Sequence, residues 1–165
     1  MNSKRFGKQW RGFTLIELLI VIGIIAILAT VVVVAVNPAR QFAQARNSQR
    51  VSNVNAILNA ITQNIAENKG VFMCNGASLA IASTSGEAGE IKSGGSSAYD
   101  LAPCLVPTYL TILPFDPVGS TTCTAAYTDA TNYNTCYRVG RDTATGRIIV
   151  SAPSAELGET ISVTR

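Results

Sequence analysis

The chain has 165 residues, a length suited to one domain, and carries 13 lysine and arginine residues against 10 aspartate and glutamate residues. The net charge of +3 comes from four basic residues in the first 11, so the rest of the chain is nearly neutral and composition does not indicate a general nucleic-acid-binding surface. The chain has no histidine, which excludes Ser-His and Cys-His catalytic pairs, and we do not expect an enzyme.

An apolar run over residues 13–36 predicts a helix that spans a membrane. At about 1.5 Å of rise per residue it is about 36 Å long, enough to cross a hydrocarbon core of about 30 Å with some tilt. A cleaved secretory signal is the competing interpretation, but this run is longer than the usual apolar region and has no Ala-x-Ala-like exit. Four basic residues precede the run: Lys4, Arg5, Lys8 and Arg11. By the positive-inside rule they predict a cytoplasmic N-terminus and an exported C-terminal part.

One carboxylate, Glu17, lies near the start of the apolar run. An ionisable residue in a membrane helix is expensive to insert and indicates a functional site whose partner must be found. The alternative is a carboxylate that reaches back to the near interface, since Glu17 lies only about 6 Å of helix rise beyond Phe13.

The segment Gly12-Phe13-Thr14-Leu15-Ile16-Glu17, between the basic stretch and the apolar run, resembles the type III signal peptide of type IV pilins and pseudopilins. The resemblance is close over residues 4–70. It implies a pilin-like α+β fold, in which a long N-terminal helix packs on a small antiparallel sheet. It also implies that a membrane-embedded prepilin peptidase cuts between Gly12 and Phe13 and methylates the new Phe13 terminus. Glu17 would then be the fifth residue of the processed chain and would neutralise the amine of a neighbouring subunit during assembly.

The apolar run stops at Asn37-Pro38, where we expect the helix to bend or to restart with Asn37 as N-cap. Gly23 is a second weak point inside the run. In pilins, the section that corresponds to residues 23–38 can lose helical structure as subunits pack into the filament. A slightly bent helix that stays intact is the alternative.

The next segment, residues 38–69, has the spacing of an amphipathic helix, with Gly70 as its C-cap signal. We expect its apolar stripe to pack on the chain's own C-terminal domain. The stripe consists of Val51, Val54, Leu58, Ile61 and Ile65. The other faces carry Arg40, Gln41, Arg46, Asn47, Gln49, Arg50, Asn53, Asn55, Asn59 and Asn64.

Three of these residues, Arg40, Arg46 and Arg50, are expected just beyond the outer membrane interface. There they would form a solvated face near lipid headgroups or a contact with another subunit. DNA binding is a weakly supported alternative, because no aromatic residues are interleaved with the three arginines.

The remaining chain predicts a small, loop-rich domain. Residues 75–98 are rich in Gly, Ser and Ala and predict a loop with at most one short element, which corresponds to the variable loop between helix and sheet in pilins. Residues 101–117 contain four prolines and predict short turns that end at Asp116-Pro117. The apolar residues expected to pack on the core from these turns are Leu105, Tyr109, Leu110, Ile112 and Leu113. An antiparallel meander is predicted at residues 125–128, 135–139 and 147–151, with a fourth, edge strand at 161–164.

Four cysteines lie on the predicted exported side, with no C-x-x-C spacing, so disulfides are expected rather than a metal site. Four cysteines allow three pairings. We favour Cys74 with Cys104, which would clamp the long loop, and Cys123 with Cys136, which would close a short hairpin.

The predicted organisation is a leader (1–12), a transmembrane and filament-core helix (13–36), an amphipathic helix (37–70) and an extracytoplasmic globular domain (71–165). The predicted function is that of a structural pilin, anchored in the inner membrane before assembly and part of a cell-surface or periplasmic filament afterwards. The alternatives are a minor pseudopilin of a type II secretion or DNA-uptake machine, and a monomeric membrane-anchored binding domain such as an adhesin. The implied partners are further copies of the chain, the prepilin peptidase, the inner-membrane assembly platform and membrane lipid. No cofactor is indicated.

Overall fold

The computed structural model describes residues 12–81, 89–95 and 98–165, so the predicted leader up to Arg11 lies outside the described residues. The chain divides after Gln41 into two compact units, and the second comprises Phe42–Arg165. The predicted α+β class is confirmed, because a long apolar helix precedes a second helix and a sheet.

The first helix, α1 (Leu15–Val36), is apolar apart from Glu17 and Thr30, and its stretch Leu15–Val33 is exposed. Among the described residues it is the one helix long and apolar enough to cross a membrane. It ends at Asn37, whose backbone is left-handed (φ 43°, ψ 81°), and it runs through Gly23 without a break.

The second helix, α2 (Pro38–Glu67), begins directly after Asn37. The Asn37 carbonyl and side-chain Oδ1 both accept from the Arg40 N–H, so Asn37 caps α2. At the other end Gly70 has φ +92°, and its N–H donates to the Ile65 carbonyl at 2.8 Å, which satisfies one terminal carbonyl.

Within Phe42–Arg165, the apolar stripe of α2 joins the sheet in one hydrophobic core. Val54, Leu58 and Ile61 are buried as expected, and Ile57, which was not assigned to the stripe, is buried with them. The assignment of Val51 to the buried stripe is wrong, because this side chain is largely exposed.

Eight strands are described in this unit: β1 (Met73–Cys74), β2 (Ala77–Ser78), β3 (Gly89–Lys92), β4 (Ala98–Tyr99), β5 (Ala126–Asp129), β6 (Asn132–Arg141), β7 (Ile148–Ala152) and β8 (Ile161–Thr164). The first two form a separate hairpin, and the other six form one sheet in the order β4-β3-β6-β7-β8, with β5 also paired to β6. The four-residue helix α3 (Ala102–Leu105) follows β4.

Two features of the sheet differ from the sequence prediction. The sheet is mixed rather than purely antiparallel, because β3 pairs with β4 in parallel. The segment expected to be a loop with at most one element contributes β2, β3 and the start of β4. The predicted meander is confirmed as β5-β6-β7, with β8 paired to β7 beside it.

The segment between α3 and β5 packs less completely than expected. Leu105 and Leu113 are buried, and Tyr109 and Leu110 pack partly against the core. Ile112 is 52% exposed, so its assignment to the core is wrong. The prolines in this segment disfavour regular helix and strand, and exposed side chains recur at every third residue, at Ile112, Phe115 and Val118.

Candidate functional site

The N-terminal segment presents the residues of the predicted processing and assembly site. Gly12 and Phe13 are exposed and precede the helix. Thr14 is the N-cap of α1, with its Oγ1 accepting from the Glu17 N–H at 3.3 Å. The Thr14 hydroxyl in turn lies 3.5 Å from Glu17 Oε2 and donates towards it. The spacing Thr-x-x-Glu is that of a capping box, and the positive end of the helix dipole favours a carboxylate in this first turn.

Glu17 is therefore held at the start of α1 but is not neutralised. Among the described residues its carboxylate has one side-chain partner, the Thr14 hydroxyl, and no cation. A carboxylate has about four acceptor positions, so most of its capacity remains open to another group. Its neighbours Leu15, Ile16 and Leu18 are all exposed. This is an acceptor on an otherwise apolar surface.

Gly23 meets no steric constraint from the described residues, because a Cβ added there would have none of them within 4 Å. The predicted loss of helix between Gly23 and Pro38 stays a prediction.

The second site is a buried arginine cluster, in which α2 meets the loops before β5 and before β8. Arg50 donates through Nε to Asp116 Oδ2 at 2.7 Å and through Nη2 to Asp116 Oδ1 at 3.1 Å. Its Nη1 donates to Glu156 Oε2 at 2.7 Å and to Asn47 Oδ1 at 2.9 Å. Every nitrogen of this guanidinium thus has an acceptor, as a buried charge requires.

The cluster extends to the surface through Arg46 and Asn47. Arg46 binds both oxygens of Glu156, at 2.7 and 2.6 Å. The Asn47 amide donates to the Glu156 carbonyl and to Glu159 Oε2, both at 2.9 Å, and its Oδ1 accepts from the Glu156 N–H at 3.0 Å. The first half of α2 is therefore bound to the loop before β8 by backbone and side-chain hydrogen bonds together.

The charged groups in the cluster shift one another's pKa values. Hydrogen bonds from Arg46 and then Arg50 lower the pKa of Glu156 from its ordinary value of 4.5 to about 2. Burial raises the pKa of Asp116, but hydrogen bonds from Arg50 and from two backbone N–H groups outweigh burial and leave that pKa below its ordinary value. The hydrogen bond to Asp116 raises the pKa of Arg50. All three groups are thus charged across the physiological range.

This geometry corrects the assignment of Arg46 and Arg50 to a face at the membrane interface. Arg50 is 1% exposed and Arg46 is paired with Glu156, so neither presents a free guanidinium to lipid or nucleic acid. Of the three arginines, Arg40 alone has no side-chain partner in the part of the chain that the structure describes. Asp116 is likewise a buried anchor rather than an ordinary turn residue.

A signal for this cluster is present in the sequence. Asn47 and Arg50 continue the 3- and 4-residue spacing of the apolar stripe, and both are buried. Polar residues at stripe positions can indicate buried polar contacts, but their partners lie up to 112 residues away and leave no local pattern.

The structure pairs Cys74 with Cys104 and Cys123 with Cys136, the two pairs favoured from the sequence. The first joins the β1-β2 hairpin to α3 and so closes the long segment between them. The second joins the loop before β5 to β6.

An apolar helix whose stretch Leu15–Val33 is exposed, with a capped carboxylate in its first turn, fits a membrane anchor joined to a separate globular unit. Comparison with known families identifies this anchor more closely. Residues 11–33 match the family model described as the prokaryotic N-terminal methylation motif. This motif is the prepilin signal of type IV pilins and pseudopilins, so the chain carries the N-terminal signal of those proteins, and the match supports a pilin- or pseudopilin-like protein. The motif also implies processing by a prepilin peptidase. No curated protein and no solved structure matches the chain.

Proposed function

We propose that this chain is a structural subunit that assembles through α1 into an extracytoplasmic filament. The observation that carries the proposal is the open acceptor at Glu17, held by Thr14 at the head of a helix whose stretch Leu15–Val33 is not buried by any other described part of the chain. A plain membrane anchor has no reason to carry a carboxylate there, because insertion makes it costly.

The chemistry of assembly follows from processing. Cleavage after Gly12 creates a charged amine on Phe13, one helical turn before Glu17. When neighbouring α1 helices stack with an axial offset, the Phe13 amine of one subunit meets the Glu17 carboxylate of the next. The two charges neutralise each other inside an apolar core formed by the stacked helices. The prepilin peptidase and the inner-membrane assembly platform are the partners that this route requires.

Removing the Glu17 carboxylate is expected to have opposite effects on the stability of the membrane-inserted monomer and of the filament. Replacing Glu17 with valine removes an insertion cost, so the monomer is expected to remain in the bilayer at least as stably as before. In the filament the substitution leaves the Phe13 amine buried and unpaired, which costs about 3 to 5 kcal/mol. We therefore expect Glu17→Val to be processed and to accumulate in the membrane, but to form few or no filaments.

The measurement is the yield of sheared surface filaments by immunoblot and electron microscopy, alongside the membrane content of processed protein. Ile16→Val is the matched control, because it also introduces valine beside Glu17 but keeps the carboxylate. Filaments at the wild-type level from Glu17→Val would contradict the proposal. Absence of filaments from the wild-type chain in its native cell would favour the membrane-anchored binding domain.

A further inference from the structure

A loop on the globular unit displays apolar side chains that the core does not use. In residues 112–118, named here the apolar loop, Ile112, Phe115 and Val118 are 52%, 37% and 65% exposed. Between them Leu113 and Asp116 are buried. The exposed side chains thus project from a segment in which every third residue is buried and holds the segment in place.

The apolar loop is fixed to the body by several contacts. Asp116 binds buried Arg50 through two hydrogen bonds, and its N–H donates to the Thr135 carbonyl at 2.9 Å. The Asn53 side chain donates to the Phe115 carbonyl at 3.1 Å. The Val118 N–H donates back to Asp116 Oδ1 at 3.0 Å. A loop held in this way presents Phe115 and Val118 in a defined position, which lowers the entropy cost of docking.

A pocket of about 520 Å³ lies elsewhere on the same unit, between the second half of α2, the β1-β2 hairpin and the β6-β7 turn. This volume falls within the range of about 300 to 1,000 Å³ that is usual for binding pockets. Two arginines, Arg141 and Arg165, line the pocket, and none of its described lining residues is acidic. Its apolar lining includes Ile65, Phe72, Leu79, Ile81 and Ile148.

The residues of α2 that contact the apolar loop and the pocket show where each lies along this helix. The apolar loop is attached at Arg50 and Asn53, and the pocket is lined by Thr62 and Ile65. The midpoints of these two pairs are separated by about 18 Å along the helix axis and by about a third of a turn around it. The apolar loop and the pocket therefore lie on different flanks of α2 and at different heights.

We propose that the apolar loop of one subunit docks into this pocket on a second copy of the chain. A contact between two different patches of identical subunits is heterologous, and when its rotation does not close it generates an open helical polymer. The apolar loop and the pocket are separated both along α2 and around it. This separation fits neighbouring subunits that lie parallel to one another and are shifted along the filament axis. This inference rests on the proposed filament function and identifies a contact between globular units within it.

The charges beside the two surfaces are complementary. Asp116 of the apolar loop binds Arg50, which donates to Asn47 Oδ1. The Asn47 amide donates to Glu159 Oε2 at 2.9 Å, so an exposed carboxylate lies on this side of the unit. The pocket offers Arg141, which donates through Nε to the Gly146 carbonyl, and Arg165. Opposite charges at the edges of an apolar contact favour the correct register and suppress others.

The first test places a charge at the tip of the apolar loop. In Val118→Lys the ammonium group would have to enter a pocket that is apolar and lined by Arg141 and Arg165, so we expect the yield of sheared filaments to fall by more than about tenfold. Thr128→Lys is the matched control, because it adds the same charge at an exposed position of β5, and it is expected to leave the yield unchanged. Processing at Phe13 and membrane content are expected to be normal in both variants.

The second test detects the contact directly in the full chain. Val118→Cys and Ser78→Cys introduce one thiol in the apolar loop and one in the pocket, while the four native cysteines remain paired. Treated with a short bis-maleimide reagent, filaments of the double variant are expected to yield a ladder of covalent multimers, and those of either single variant no ladder. Filaments that form normally but give no ladder, or wild-type yield from Val118→Lys, would overturn this contact and leave the proposed function standing. Absence of filaments from the wild-type chain would overturn both.

Discussion

Arg50 and Asp116 form a two-point ion pair inside the globular unit, although 66 residues separate them in the chain. Each residue is only 1% exposed. The pair joins α2 to the loop that precedes β5, so it fixes the position of that loop as well as of the helix. A buried pair of this kind is weak evidence for added stability, but breaking it leaves an uncompensated charge in the interior.

Removing the guanidinium is expected to destabilise the protein strongly. Arg50→Met leaves the Asp116 carboxylate buried without its cation, at a cost of about 3 to 5 kcal/mol in the free energy of unfolding. Urea denaturation of the full chain in detergent, followed by circular dichroism, measures this loss. Arg138→Met is the control, because Arg138 is 42% exposed and 4.0 Å from Glu90, and it is expected to cost less than about 1 kcal/mol. Strict additivity between Arg50→Met and Asp116→Leu would contradict the pairing.

Acid is expected to weaken the same cluster through Glu156. Its pKa is lowered from 4.5 to about 2 in the folded chain, so its contribution to stability is fully present above pH 4.5 and is lost as the pH falls towards 2. Asp116, whose pKa is also lowered, acts in the same direction. We expect Glu156→Gln to reduce the slope of unfolding free energy against pH over this interval. An unchanged slope would show that the Arg46 and Arg50 contacts to Glu156 do not persist in solution.

Processing is expected to produce a mature chain that begins at N-methylated Phe13. A bulky residue at the cleavage junction, as in Gly12→Leu, should leave an uncleaved precursor in the membrane. Intact-mass spectrometry of the membrane-extracted protein distinguishes the two forms. Gly23→Ala is the control, since the added Cβ meets nothing within 4 Å, and it should be processed normally. A mature terminus at Met1, or one beyond Val36, would refute the assignment.

The disulfides are expected to be Cys74–Cys104 and Cys123–Cys136 in protein recovered from outside the cell. Each should contribute about 2 to 4 kcal/mol to the stability of the globular unit. Peptide mapping without reduction identifies the linked fragments. A Cys74–Cys136 or Cys74–Cys123 linkage, or free thiols, would be incompatible with this arrangement.

The helices and the meander could be predicted because their signals are local. The apolar length of α1, the 3- and 4-residue spacing of α2 and the turn residues between β5, β6 and β7 each act within a few residues. The strand β3 (Gly89–Lys92) was missed because it contains two charged residues and follows a Gly- and Ser-rich stretch. It becomes a strand by pairing with β6, through contacts such as Glu90 opposite Arg138.

The processing and assembly site was proposed from six consecutive residues, Gly12 to Glu17, and its roles stay predictions. The arginine cluster could not be predicted in this way. Arg50 meets its acceptors only after α2 packs against loops from the distant C-terminal half of the chain. Its position within the apolar stripe was the available signal.

Asn37 also determines how deep the chain sits in a bilayer. The 22 residues of α1 extend about 33 Å, close to the hydrocarbon thickness of about 30 Å. After Val36 the left-handed turn at Asn37 and the missing N–H of Pro38 leave the last carbonyls of α1 without helical donors. Such carbonyls are costly in hydrocarbon, so this end belongs among hydrated headgroups. We therefore expect the membrane-spanning stretch to end at the Asn37-Pro38 pair, and residues inserted before it would lengthen the apolar helix beyond the hydrocarbon thickness.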